Sequence, residues 1–250
     1  MITNTTLHNG RLGNQIIRNL AVSLIAEKHN LKVDYCNKEL IEKLGIFLYS
    51  GTNVHENCAK LNDTNFLSVY NCGVLTYNLN PNSAYFQTKE ITNLLYEYLH
   101  TNEVSSRIVK QNPFNSRYKS NNDIYIHVRL GDVARFNPGV DYYLNIIKSV
   151  QADMNVDNIY ISTDEPTHDI IHKLISVYPK TNLIQTDEIQ TIQFASTCKH
   201  IILSHGSFSA IIGYLSFYSK IYYPEYDPSK IWYGDMFSIK DWVKCPVKNT

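Results

Sequence analysis

From residue 124 onward, short apolar runs alternate regularly with helical patterns, and nothing else constrains the fold of this chain as tightly. Ile124 to Val128, Ile159 to Ser162, Asn182 to Gln185, His200 to Leu203 and Ile221 to Tyr223 read as strands. Between them, four stretches carry apolar residues at helical spacing: Tyr142 to Val150, Pro166 through Ile175, Ile189 to Cys198, and Ser209 to Tyr218. Strands separated by helices pair in parallel, because each connection must cross the sheet, so a doubly wound α/β fold is expected. All strand-to-helix loops of such a sheet share one edge, and ligands bind outside the carboxyl ends of the strands. The polar stretch Gln111 to Asn122 contains Pro113 and reads as a boundary, dividing the chain into residues 1–118 and 119–250. The tail from Asp227 carries Trp232 and Trp242 and is expected to pack back across the seam, since large aromatic rings seek burial.

The first half begins with another strand–loop–helix–strand pattern. Ile2 to Leu7 reads as a strand, Asn14 to His29 as a helix with Ile16, Ile17, Leu20, Ala21, Leu24 and Ile25 on its apolar side, and Leu31 to Tyr35 as a second strand. The loop Gly10-Arg-Leu-Gly-Asn-Gln15 precedes the helix. Its glycines let the backbone approach a ligand, and the helix N–H groups favour an anion or sugar oxygens; a simple tight turn is the competing reading. The loop lacks the GxGxxG spacing of a dinucleotide site. Further on, helices are expected over Asn37 to Leu44, Phe86 to Leu99 and Val104 to Lys110. A strand is expected at Phe66 to Tyr70, within the weakly patterned region Gly45 to Asn82.

Composition narrows the partners. The 250 residues hold 23 basic and 23 acidic side chains, so no net positive field favours nucleic acid or an anionic membrane. Five scattered cysteines without a CxxC pair suit reduced thiols and a cytoplasmic setting. No apolar run approaches the ~20 residues of a membrane span, and the N-terminus lacks the basic and apolar regions of a signal peptide. The 19 tyrosines suit sugar-facing surfaces, or reflect a biased composition rich also in Asn, Ile and Lys.

Three strand ends of the second half carry chemistry: His127-Val-Arg-Leu-Gly-Asp132, Ser162-Thr-Asp-Glu-Pro166 and Ser204-His-Gly-Ser-Phe-Ser209. Arg129 can grip a diphosphate bidentately, or simply pair with Asp132 at a solvated strand end. Ser207 and Ser209 stand at a helix start whose N–H groups can take phosphate oxygens. Asp164 or Glu165 can bind ribose hydroxyls, or cap the helix that begins at Pro166, the favoured role for Asp164.

These blocks, together with Gly10-Arg-Leu-Gly-Asn-Gln15, resemble in residues and order the α1,2- and α1,6-type fucosyltransferase superfamily, most closely family 11 glycosyltransferases. The resemblance implies a GT-B architecture: two Rossmann-like domains with a cleft between them, the acceptor side N-terminal and the donor side C-terminal. It implies an inverting transfer of a sugar, L-fucose from GDP-fucose, to a hydroxyl of a glycan acceptor, with no metal or other cofactor. By the same resemblance Arg129 stabilises the diphosphate leaving group, and His127 lies near the base and ribose. Gly13 and Asn14 face the sugar–phosphate region, and Ser207, Phe208 and Ser209 line the phosphate site. Leu130 departs from the family, which often has a second arginine there; Arg135 and Lys220 are the candidates to replace it. Thr191, with Glu188 and Gln190, stands where relatives place a carboxylate for guanine. No general base is assigned; Asp132 is either that base or a structural ion-pair partner. A transferase for another deoxysugar such as rhamnose, and a non-catalytic carbohydrate-binding protein, are the competing readings.

Overall fold

The computed structural model describes residues 2–6, 10–227 and 234–247. Residues 1–111 with 234–236 form one unit, and 112–233 with 237–250 form another. In the first unit, strand β1 (Thr3–Asn4) runs parallel to β2 (Val33–Asp34), with helix α1 (Leu12–His29) between them in sequence. Ile16, Ile17, Leu20, Ala21 and Ile25 of α1 are fully out of solvent. The helix ends at Asn30, whose left-handed backbone (φ 53°) lets its N–H return to the Ala26 carbonyl. Helix α2 (Lys38–Glu42) follows. A second parallel pair, β3 (Cys58–Lys60) with β4 (Asn78–Asn80), is tied to β1 by a 2.9 Å bond from the Leu79 N–H to the Thr3 hydroxyl. The expected first strand thus shrinks to Thr3–Asn4, and Leu7 lies outside the described residues.

One expectation in this unit is overturned. Phe66 to Tyr70 is not a strand but the start of helix α3 (Phe66–Asn71). The Asn62 side chain accepts from the Thr64 and Asn65 N–H groups, which closes a turn ahead of the segment. Phe66 and Val69, three apart, then bury on one helical side. Helix α4 (Lys89–Leu99) starts later than Phe86, which holds a positive φ of 55°; the Thr88 hydroxyl caps it by accepting from the Ile91 N–H at 3.4 Å. Helix α5 (Asn102–Gln111) completes the unit before Asn112.

The second unit is a six-stranded parallel sheet. In chain order it holds β5 (Ile124–Val128), α6 (Val140–Asp153), β6 (Ile159–Thr163), α7 (Asp169–Val177), β7 (Asn182–Leu183), α8 (Glu188–Ala195), β8 (His200–Ile202), α9 (Ser207–Tyr214), β9 (Lys220–Pro224) and β10 (Val243–Cys245). The strands lie in the order β10-β9-β8-β5-β6-β7, all parallel. Ile124, Ile126 and Val128 cluster with Tyr143, Ile146 and Ile147 of α6 and with Ile171 and Leu174 of α7. Strand β10 was not anticipated; it closes the edge beside β9. Trp242, just before it, packs on Tyr214 and Tyr223. Trp232 lies outside the described residues. No helix among the described residues is long and apolar enough to cross a membrane.

Candidate functional site

The strand order places a switch point in the second unit. The chain leaves β5 toward β6 and β7, then returns to β8 on the other side of β5 and continues to β9 and β10. The connections therefore diverge between β5 and β8, where doubly wound sheets open a ligand crevice beyond the carboxyl ends. Pairing of β5 with β8 stops at Ile126↔Ile202, while β5 continues beside β6 to Val128↔Thr163. His127 and Val128 thus have no ladder partner on the β8 side.

Across that gap, His127 Nδ1 meets the Ser209 hydroxyl at 2.5 Å, and its ring lies 5.2 Å from that of Phe208. His127 is buried, and burial first, with the nearby His205 and Arg129 second, pushes its pKa down to about 3. The ring is therefore neutral at ordinary pH and can act as a hydrogen-bonding wall, not as a cation. His205, also buried, is driven down to about 4 by burial and by the charge of Arg129. Of the two serines, Ser209 is fully buried against His127, whereas Ser207 is half-exposed in the first turn of α9, after Gly206 at φ 88°.

Arg129 follows directly on β5. Its guanidinium is paired with both Asp132 and Asp164, and its side chain keeps 14% of its exposure. The ion pair with Asp132 that the sequence allows is therefore present, at the strand end beside the switch point. Asp164 also accepts from the Leu130 N–H at 2.9 Å, so one carboxylate fastens the β6 loop to the β5 loop. The capping role favoured for Asp164 is overturned: α7 begins at Asp169, and the cap is His168, whose Nδ1 accepts from the Ile170 N–H at 3.2 Å. Pro166 falls in the turn before that helix.

Gly131 makes the clasp sterically feasible. It adopts φ 43°, and a Cβ there would stand 2.7 Å from an Asp164 carboxylate oxygen and 3.3 Å from an Arg129 nitrogen. Asn137 adds a strut that sequence reasoning missed: its side-chain nitrogen donates to the Arg129 carbonyl at 2.9 Å and reaches the Tyr143 hydroxyl at 3.0 Å. No short motif signals it, because it lies beyond the 3-10 helical segment Gly131–Phe136, which is kinked at Val133.

Leu130 is fully buried in the apolar cluster, so this position points into the core. Of the two proposed substitute cations, Lys220 opens β9 at the opposite edge of the sheet, while Arg135 lies 4.7 Å over the Phe136 ring, whose centre is 6.4 Å from that of His205. Thr191 is buried and meets the Thr186 hydroxyl at 2.9 Å; Glu188 and Gln190 are exposed on α8.

Gly13 and Asn14 belong to the first unit, in the opening turn of α1, where no side chain caps the helix. The Asn14 carboxamide oxygen accepts from Gln87 at 2.7 Å, and Gln15 donates to the Gly10 carbonyl at 3.0 Å. A Cβ at Gly10 would overlap Asn14, so glycine there is a packing requirement as much as a ligand feature. Arg18, one turn on, was not singled out by the sequence; it is fully buried and donates through Nε to the Ala84 carbonyl at 3.0 Å. Among the described residues no cluster of three or more His, Cys, Asp or Glu side chains is arranged to hold a metal ion.

No family model matches the sequence, and no curated protein sequence matches it significantly. Solved structures do. POFUT1 in complex with GDP is 9% identical, with 89% of this chain and 97% of that one covered, at a TM-score of 0.50. E. coli heptosyltransferase WaaC with ADP is 10% identical over 98% of this chain and 92% of that one, at 0.49. The same enzyme with ADP-2-deoxy-2-fluoro heptose is 10% identical over 97% and 91%, at 0.49. The α/β fold with parallel sheets is as expected, and the likeness to POFUT1 is a likeness to the GT-B glycosyltransferase fold.

Proposed function

We propose that the chain is an inverting nucleotide-sugar glycosyltransferase, and that its donor is GDP-fucose. The observation that carries this is Arg129 at the β5 end beside the β5/β8 switch point, its charge felt by His205 just before α9. A diphosphate there exchanges carboxylate partners of Arg129 for its own oxygens, and Ser207 with the α9 N–H groups takes the rest. As the acceptor hydroxyl attacks the anomeric carbon, charge grows on the leaving β-phosphate oxygen. Arg129 and the helix end meet that charge, so no metal ion is required. Neutral His127, held by Ser209, borders the nucleoside. GDP is favoured because the four motif blocks follow fucosyltransferase order and the similar POFUT1 structure holds GDP. Five free thiols suit a reducing compartment, and we place the reaction in the cytoplasm.

Arg129→Ala is expected to keep the fold and lower sugar transfer by about 10²–10³-fold, the usual cost of losing one preorganised contact, ~2.7–4 kcal/mol. Near-normal transfer by the folded variant would remove Arg129 from the mechanism. Calorimetric titration with GDP, ADP and UDP tests the base: binding of GDP alone supports GDP-fucose, and preference for another nucleotide replaces it.

A further inference from the structure

Apart from the crevice at the carboxyl ends of its strands, the second unit has a cavity of about 450 Å³ at their amino ends. It is lined by the segments that lead into β5, β6, β8 and β9, so the length of the strands separates it from Arg129. Its size is that of a small-molecule site, in the range of roughly 300–1,000 Å³. Its walls are polar and carry two lysines against one acid: Lys119 and Lys199 with Asp157.

Both lysines are exposed, and each ammonium group has a partner at the cavity. Lys119 stands at φ 61°, an uncommon backbone state for a residue with a side chain, and its Nζ lies 4.1 Å from the centre of the Tyr218 ring. That ring, 46% exposed, is itself held edge-on by Tyr118 at 5.5 Å. Lys199 Nζ donates to the Asn122 carboxamide oxygen at 2.9 Å, and the Asn122 N–H donates to Asp157 at 2.8 Å. An ammonium has three donors, and Asn122 takes one from Lys199. With its oxygen occupied, Asn122 has its carboxamide N–H groups to offer, and the Ser120 hydroxyl, which donates to the Ser116 carbonyl at 2.8 Å, can still accept. The cavity therefore joins a modest positive charge to hydroxyl-reading groups.

We propose that this cavity is a second ligand site, for a saccharide bearing a single carboxylate. The two ammonium groups, offset by Asp157, match one negative charge better than a doubly charged phosphate, and the amide and hydroxyl groups suit sugar hydroxyls. The site is independent of the donor crevice and of the reaction assigned to it.

The test is a titration of the full chain with glucuronate, glucose and inorganic phosphate, followed by backbone amide shifts. Glucuronate is expected to move the amides of residues 119–122 and 199, with glucose and phosphate each bound about tenfold more weakly. The same titration of Arg129→Ala is expected to be unchanged, whereas Lys119→Gln/Lys199→Gln loses the response and keeps its GDP titration. Absence of shifts with glucuronate, shifts that survive the double substitution, or tighter binding of phosphate each overturns the proposal. A well-dispersed spectrum of the double variant, or of Lys199→Gln alone, shows that lost binding is not lost folding.

Discussion

In the second unit, six parallel strands carry the core, and β5 is buried along its whole length between β6 and β8. In the first unit no described strand exceeds three residues, and helices carry most of the fully buried apolar side chains, those of α1 with Ile41, Phe66, Ile91, Leu95 and Leu99. The sheet-centred unit places its functional loops by ladder register: Arg129, Asp164 and Ser207 each follow a strand whose position is fixed by its neighbours. The helix-centred unit relies on side chains to fix its loops, as Gln87 does for Asn14 and Arg18 does for Ala84. Backbone ladders tolerate change on one face; single side-chain ties do not.

Ile126→Ala and Leu20→Ala separate the two arrangements most strongly. Each removes a fully buried aliphatic chain and is expected to cost about 2–5 kcal/mol. Hydrogen exchange should show β5, β6 and β8 loosening together in the first, and α1 with the short strands in the second. Uniform loosening of both units by either variant would mean that the two cores are not distinct.

Acid is the next lever. His127, at about 3, and His205 and His200, at about 4, all belong to the second unit and are all depressed first by burial. An unfolded histidine titrates near 6.5, so between that pH and the folded values the unfolded chain binds more protons. Stability is therefore complete above about pH 6.5 and falls as pH drops toward 4, by up to ~1.4 kcal/mol per pH unit for each ring. In the first unit the partly exposed His29 is also lowered, by burial first. Denaturant midpoints that stay constant from pH 7 to about 4.5 would contradict the neutral state of these rings.

Arg18→Met keeps the length of the buried chain and strips the donor from the Ala84 carbonyl, so about 1–3 kcal/mol of the first unit's stability should go. The smallest effects concern helix caps. Asp187 caps α8 by accepting from the Gln190 N–H at 2.7 Å, whereas Thr88 caps α4 across 3.4 Å. Asp187→Ala is expected to cost about 1 kcal/mol and Thr88→Ala about half of that, measured by thermal melts. The reverse order would mean that α4 leans on its cap more than the geometry indicates.

What was legible in the sequence follows the same division. Ile124 to Val128 reads as a strand and is one residue for residue, because a buried central strand needs an unbroken apolar run. Phe66 to Tyr70 misled because five residues cannot distinguish strand from helix by apolar content; Asn62, whose side chain closes the preceding turn, decides it. The three strand-end loops were visible as motifs, but the pairing of His127 with Ser209, 82 residues apart, has no local signature. Asp164 looked like a cap because it precedes Pro166 and a helical pattern. The turn between them moves the helix start to Asp169, and the carboxylate turns back to Arg129 instead. Leu130 read as a lost cation, and burial makes it a core residue.

The order β10-β9-β8-β5-β6-β7 also bears on how the chain is made. Strand β5, at the heart of the sheet, pairs with β8 across 76 positions of sequence (Ile124 with His200), and the edge strand β10 comes later still, from Val243–Cys245. Long-range parallel pairing of this kind is slow. During synthesis the half-built sheet must wait with the edge of β9 uncovered, a surface on which other nascent chains can add strands. Trp242, which fills the space over Gly213 immediately before β10, is among the last core side chains to emerge. Completion of this unit therefore waits for a strand far downstream of β5, and its yield should depend on how long the nascent chain is kept apart from its neighbours.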